Sequence, residues 1–305
     1  MGRGEETNHE VVIDDKTIHL SNMTKLLWQK KEIRKIDYLN YLTIISPFML
    51  PFLKDRLLTT IRFPDGIHKE KFYQKNCPDY APDFIKTKHE DGTDFILCQD
   101  QATLLWLGNQ SAIEFHIPFS TIQSPKPSEI VFDLDPPSRS DFILAVEAAL
   151  LLKDAFDKLH LQSFVKTSGN KGLQIYIPLP TNTFSYDDTR EFTAFMARFL
   201  IEKEPKWFTT ERLKSKRGSR LYVDYIQHAE GKTIIAPYSV RGNEHALVAT
   251  PLLWNEVKES LHPEMFPIES IETRIKEKGC PFIEEYFEAK KNQPFQVVLD
   301  HLRLT

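Results

Sequence analysis

Only three cysteines, Cys77, Cys98 and Cys280, occur in 305 residues, far apart and with no CxxC pair. Neither a disulfide framework nor a structural zinc site is expected from them. Glycine is scarce at 11 residues while proline reaches 19, which argues against a Gly-rich linker or a repeat array. Neither charge sign is in large excess: 39 Lys+Arg stand against 43 Asp+Glu, a formal charge of −4, so any nucleic-acid signal has to be local. Long hydrophobic runs are also lacking. The longest apolar stretch, Tyr41 to Leu53, contains Pro47 and Pro51 and falls short of the ~20 residues of a membrane-spanning helix. The opening MGRGEETNHE has no apolar core for a signal peptide, and Glu6 occupies the Ser/Thr position of a myristoylation signal. A soluble cytoplasmic protein with no membrane partner is expected. A hydrophobic fraction of 41% and a charged fraction of 27% are ordinary globular values.

Along the chain, Ile36, Leu39, Leu42 and Ile45 recur at near-helical spacing, and the two prolines are expected to break that helix. Ala102 to Leu107 reads as a short buried helix, Ala112 to Pro118 as a strand, and Glu129 to Asp135 as a strand stopped by Pro136-Pro137. Phe142 to Leu161 and Arg190 to Ile201 read as helices. Ser163 to Lys166 and Leu173 to Leu179 are expected to pair as a hairpin, with Leu221 to Ile226 and Thr233 to Val240 as further strands. Ile268, Ile271 and Ile275 form one helical face, with Gly279 as its stop. Strands interleaved with helices, several hairpin-linked, predict an α/β chain of α+β type with mixed and antiparallel sheets, not a doubly wound parallel one. One domain over 1–305 is expected, divided into an N-terminal lobe (1–120), a catalytic core (121–250) and a C-terminal helical part (251–305).

Side chains alternate along a strand, so Ile130, Phe132 and Leu134 face one way and Val131, Asp133 and Asp135 the other. Two carboxylates on one face repel and are costly to desolvate unless a cation neutralises them. Hard oxygen ligands favour Mg²⁺ or Mn²⁺ over zinc. Asp224, on the strand from Leu221, has the same apolar setting. An edge strand with solvated aspartates is the plain alternative.

Thr167 to Gly172, TSGNKG, joins two predicted strands. Two glycines can turn amides inward, Ser168 offers a hydroxyl and Lys171 a point charge, a set able to hold a polyphosphate. Arg241 can add a forked donor. The plain alternative is a hairpin turn. Lys214, Lys216, Arg217 and Arg220 cluster before the Asp224 strand, and Lys25 and Lys35 bound a second basic stretch. With Phe72-Tyr73 between Lys71 and Lys75, they suit a nucleic acid held by its phosphates. Taken singly, each run also reads as a solvated face. His116 ends a strand just upstream of the paired carboxylates and can face the same site; a half-buried, hydrogen-bonded histidine is the plainer reading.

Together these pieces describe two-metal nucleotidyl transfer, in which the protein positions its substrates and stabilises charge. The strings VFDLDPP, KTSGNKGLQIYIPL, VDYIQ and APYSVRGNEHALVATPLLW resemble the polymerase domain of bacterial ligase D, in the archaeo-eukaryotic primase superfamily. That resemblance runs from NMTKLLW to PFIEEY and implies a primase-polymerase core with RRM-like strands. It implies Asp133, Asp135 and Asp224 as catalytic metal ligands for two Mn²⁺ or Mg²⁺ ions. It places His116, Ser168, Lys171, Gly172 and Arg241 at the incoming nucleotide, Lys25 and Lys35 at a DNA 5′-phosphate, and Phe72 and Tyr73 at the template. The implied work is extension of 3′ ends and filling of gaps at broken, 5′-phosphorylated DNA with NTPs or dNTPs, ribonucleotides favoured, beside an ATP-dependent end-joining ligase and Ku. Asn243, His228 and Gln174 depart from the Arg, Asn and His common at those places. No KxDG ligase motif or phosphoesterase segment is evident, so the sequence reads as the polymerase module alone.

Two rivals share some of these signals. A haloacid-dehalogenase phosphatase would use Asp133 as nucleophile, but Pro136-Pro137 and the polar setting of Asp187-Asp188 argue against it. A DNA-binding module with vestigial carboxylates is the other.

Overall fold

The structure, a computed structural model, describes residues 9–304; the leader with Glu6 lies outside them. Among the described residues, ten strands build two main sheets. In chain order they are β1 (Thr59–Arg62), β2 (Phe72–Gln74), β3 (Ala112–Pro118), β4 (Glu129–Asp135), β5 (Phe164–Thr167), β6 (Leu173–Pro178), β7 (Phe208–Thr209), β8 (Leu221–Asp224), β9 (Thr233–Ile235) and β10 (Pro251–Leu252). The six-stranded sheet runs β7-β8-β4-β6-β5-β10 and the four-stranded sheet β9-β3-β1-β2. Every pairing in them is antiparallel except β7–β8. The mixed α+β expectation holds, and the predicted hairpin is the β5–β6 pair.

The alternation read in β4 decides how its two faces are used. Phe132 meets Phe156 and Phe192 at ring-centroid distances of 5.4 and 6.1 Å, so its face lies under the helices Ile143–Lys158 and Tyr186–Lys203. On the other face, Val131 pairs in register with Tyr176 and Asp133 with Gln174. Phe282 and Phe164 pack around Tyr286, and Phe282 also meets Tyr176. That aromatic cluster covers the Val131 end and leaves the aspartate end open.

Three expectations need correction. Pro47 and Pro51 do not end the first helix, which runs over Lys35–Leu53. Pro47 lacks the N–H that the Thr43 carbonyl would receive, and the Ser46 hydroxyl (2.9 Å) and Gln101 amide (3.2 Å) donate to it instead. At 19 residues this helix is long and apolar enough to cross a membrane, yet it buries Leu42, Ile45 and Met49 in the core. The Tyr38 and Tyr41 hydroxyls donate to the Ala112 and Tyr238 carbonyls, as suits a core helix. The strand expected to reach Val240 stops at Ile235 because Pro237 has no N–H and Tyr238 adopts φ 66°. The strand expected to reach Ile226 stops at Asp224, whose carboxylate accepts the Gln227 N–H at 3.0 Å and turns the chain.

His228 is wholly buried, with its ring against Phe119. The Thr189 hydroxyl donates to the Ser185 and Tyr186 carbonyls, so His228 Nε2–H donates to Thr189 Oγ1 at 3.0 Å and Nδ1 is left without a partner. Burial pushes its pKa down to about 4, Glu129 opposing and Arg190 adding. The unfolded chain takes up this proton below about pH 6.5 and the folded chain only near 4. Stability from this group is therefore full at neutral pH and is lost as pH falls between those values, by up to about 3 kcal/mol. Melting curves from pH 7 to 4 should show a steeper acid decline for the native chain than for His228→Asn; parallel curves would remove His228 from the account.

Candidate active site

A cavity of about 230 Å³ opens where β4, β6 and the turn after β5 meet β3 and β9. His116, Asp133, Asp135, Ser168, Lys171, Gly172 and Arg241 line it, together with Asn170, Gln174, Gln227 and Thr233. Asp224 does not line it but stands directly across β4–β8 from Asp133, with Asp135 opposite Tyr222. Three acidic residues on two adjacent strands therefore share one end of the sheet: alternation accounts for Asp133 and Asp135, and the β4–β8 pairing adds Asp224.

Each carboxylate rests on a different donor. Gln174 Nε2 donates to Asp133 Oδ1 (3.0 Å), Lys171 Nζ lies 3.1 Å from Asp135 Oδ1, and Asp224 Oδ1 accepts from Tyr222 (3.1 Å) as well as Gln227. Among the described residues no three His, Cys, Asp or Glu side chains close into a ready metal cage. The donor chemistry nonetheless fits a divalent cation. Burial raises the Asp133 pKa to about 6; Gln174 opposes this, and the charges of Asp135 and Asp224 add to it. Hard oxygen ligands with surplus negative charge are what Mg²⁺ or Mn²⁺ requires.

The TSGNKG turn is locked onto the carboxylate strand. A Cβ on Gly172 would stand 2.2 Å from the Leu134 carbonyl oxygen, so only glycine fits. Gly169 takes φ 69°, and Ser168 Oγ accepts the Gly172 and Asn170 amides at 3.1 and 3.3 Å. Lys171 Nζ reaches the Pro136 carbonyl at 2.5 Å, which holds its charge at the cavity rim. On the far wall, buried Glu114 accepts from Arg241 Nη1 (2.8 Å), the Gly242 amide (3.0 Å) and His116 Nε2 (3.0 Å). Burial alone would raise the Glu114 pKa; His116 and Arg241 hold it low instead. Asn243, one of the departures, donates to the Gly169 carbonyl at 2.9 Å and accepts the His245 and Leu247 amides, so it braces the turn's backbone.

The other predicted residues lie outside the cavity. Lys35 is 3% exposed and donates to the Ser21 carbonyl, while Lys25 donates to the Pro64 carbonyl and pairs with Asp65. Burial lowers the Lys35 pKa to about 8, and the charges of Lys25 and Arg62 add to that. Arg62 lies over the Phe72 ring at 5.0 Å, and Phe72 and Tyr73 are exposed at 43% and 68% on edge strand β2. Lys214, Lys216, Arg217 and Arg220 sit on and beside an exposed helical turn, Lys214–Arg217. Arg217 donates to the Glu211 and Arg212 carbonyls just before the turn and Arg220 to the Lys216 and Arg217 carbonyls within it, and Arg217 stacks 3.7 Å over Tyr222, the residue that donates to Asp224. Asp188, one of the aspartates weighed for a phosphatase, forms a reciprocal cap with Ser185 at a helix start.

Residues 34–282 match the primase-polymerase domain of LigD. The chain belongs to this family. It is 47% identical over 301 residues to the bifunctional non-homologous end joining protein LigD of Bacillus subtilis, covering 97% of this chain and 49% of that protein. It is 30% identical over 247 residues to the multifunctional LigD of Mycolicibacterium smegmatis, covering 79% and 32%. The chain thus spans about half or less of the curated relatives it matches. The solved polymerase domain of Mycobacterium tuberculosis ligase D in complex with DNA superposes with a TM-score of 0.80 at 28% identity, covering 91% of this chain and 99% of that one. A LigD primase-polymerase domain is a DNA-directed nucleotidyltransferase of bacterial end joining, which sets aside the phosphatase and the non-catalytic module. Within this LigD domain the residue reading overlooked Glu114, Lys166 and Gln227. An apolar strand carrying a charged member, IEFHI or FVKT, gives no sign that the charge is buried behind the wall of a polar cavity.

Proposed function

We propose that this domain extends 3′ ends and fills short gaps at DNA breaks, drawing on NTPs or dNTPs, with ribonucleotides favoured. Its chemistry rests on Asp133, Asp135 and Asp224 as holders of two divalent ions, Mn²⁺ or Mg²⁺. The observation that carries the reading is the register of Asp133 opposite Asp224, with Asp135 on the same face and a phosphate-sized, cation-rimmed cavity beside them. Bound there, the ions would supply charge neutralisation for the attacking hydroxyl and the leaving pyrophosphate. The chain's own groups do the rest. Lys171, Ser168, the Gly172 turn and Arg241 grip the phosphates, with Glu114 fixing the guanidinium and His116 bordering the nucleotide. In this reading the chain is one domain, with 1–120 as its N-terminal lobe, 121–250 as the catalytic core with the metal site and 251–305 as the C-terminal helical part. The protein works in the bacterial cytoplasm at the nucleoid, with an end-joining ligase and Ku as partners.

A primer-extension assay on a gapped duplex, with rNTPs and dNTPs in parallel and Mn²⁺ or Mg²⁺, tests this. Metal-dependent incorporation is expected, and its absence with every nucleotide would refute the proposal.

Lys25, Lys35 and Arg62 set three cations close together with Asp65 as their one ion-pair partner among the described residues, a surplus that a phosphate dianion would relieve. The surface turn of Lys214, Lys216, Arg217 and Arg220 is assigned to template or primer backbone, and Phe72 and Tyr73 to base stacking. Lys25→Ala with Lys35→Ala should cut the preference for a 5′-phosphorylated gap by roughly a hundredfold or more, since two charge-assisted bonds worth about 1.5–3 kcal/mol each are lost. Competition binding between phosphorylated and unphosphorylated gaps measures it, and an unchanged ratio would remove both lysines from the phosphate site.

A further inference from the structure

Behind Asp133 lies a buried polar pair that the nucleotidyl-transfer reading leaves without a role. Lys166 is 0% exposed on β5, and its ammonium donates to Gln174 Oε1 at 2.6 Å, with a longer contact of 3.3 Å to the Thr167 carbonyl. Gln174, 3% exposed on β6, passes the direction on: its Nε2 donates to Asp133 Oδ1 at 3.0 Å. Register enforces the row, since Lys166 stands opposite Gln174 and Gln174 opposite Asp133 across three neighbouring strands. The polarity is equally fixed. Lys166 Nζ donates at one end and an ionised carboxylate only accepts at the other, so the carboxamide between them has one orientation that satisfies both ends.

We propose that Lys166 and Gln174 are a positioning pair for Asp133: the lysine holds the amide with its N–H₂ end toward the carboxylate, and the amide fixes the carboxylate to receive a divalent cation. The proposal rests on the reading of Asp133 as a metal-binding residue. Without the lysine the amide can flip, turning its oxygen on the Asp133 oxygen. Without the amide hydrogen, Asp133 loses the bond that fixes its rotamer. Outer partners of this kind are commonly worth 10–100-fold in metal affinity or rate.

The test uses the whole chain with Mn²⁺ alone, followed by electron paramagnetic resonance of free Mn²⁺, beside kcat and KM for gap filling. Gln174→Leu and Gln174→Glu, neither able to offer an N–H, should each weaken Mn²⁺ binding by about tenfold or more. They should lower kcat and leave the nucleotide KM largely unchanged. Gln174→His, which restores a ring N–H, should recover most of both. Lys166→Met should match Gln174→Leu, and the double variant should be no worse than either single, because one relay is broken once. Native Mn²⁺ affinity in Gln174→Leu and Gln174→Glu, equal losses in Gln174→His and Gln174→Leu, or multiplying losses in the double variant would each overturn the proposal. Should Lys166→Met not fold, the three Gln174 variants still decide. If the native chain fills no gap but Gln174→Leu weakens Mn²⁺ binding, the nucleotidyl-transfer reading falls and the pair stands. If the native chain fills gaps and Mn²⁺ binding ignores Gln174, the pair alone falls.

Discussion

Asp133→Ala is expected to abolish gap filling, lowering kcat by roughly 10³-fold or more while DNA binding persists. The expectation follows from position: Asp133 is the one acidic residue in register with both Asp224 on β8 and Gln174 on β6. Its removal takes away the central oxygen donor and leaves Asp135 and Asp224 without the carboxylate that links them. Charge stabilisation by a bound metal is worth several kcal/mol, and each 1.36 kcal/mol is tenfold in rate. Folding should not suffer, because the variant relieves a repulsive, half-buried group whose nearest acidic neighbours are themselves charged. A melting temperature at or above the native value, with extension lost and gapped-duplex affinity kept, is the predicted signature. Extension within tenfold of native would reject Asp133 as a metal ligand.

Glu129→Ala is expected to be the most damaging substitution for stability, at about 3–5 kcal/mol. Glu129 and Arg56 are both buried, and two guanidinium nitrogens of Arg56 meet the two carboxylate oxygens at 2.7 and 2.8 Å. The same guanidinium bonds Ser128 Oγ and the Pro118 carbonyl, and Tyr286 donates to Glu129 at 3.2 Å. Removing the carboxylate strands a buried cation that has no water to turn to. The loss corresponds to a fall of roughly 10 °C in Tm, measurable by calorimetry. A change below about 1 kcal/mol, the range of exposed pairs, would show that the cluster is not structurally important. Because this cluster joins the end of β3 to the start of β4, milder variants such as Glu129→Gln should also loosen His116 relative to Asp133.

Much of this arrangement was legible in the residues. The bounds of β3 and β4 follow from apolar runs closed by proline, and the facing of Asp133 and Asp135 follows from alternation alone. Pairing was not legible in the same way. That β8 lies beside β4, or that β9 leaves its neighbours to pair with β3, depends on contacts between segments about a hundred residues apart. The helix through Pro47 was misread because the carbonyl it frees is satisfied by side chains, the neighbouring Ser46 and the distant Gln101, which the helix-breaking rule for proline does not consult. Gln174 was visible only as a departure, since its meaning depends on Lys166 across the hairpin. Lys166 drew no reading beyond its place on a strand; full burial of a lysine is a property of the finished sheet.

The place of β4 in the middle of its sheet has a genetic consequence. Its antiparallel neighbours fix its alignment from both sides, so adding or deleting one residue between 129 and 135 would swap the aspartates with the phenylalanine or leucine beside them. A scan of single-codon insertions should find this seven-residue stretch intolerant throughout, while the exposed hairpin tip at Asp91-Gly92 accepts them.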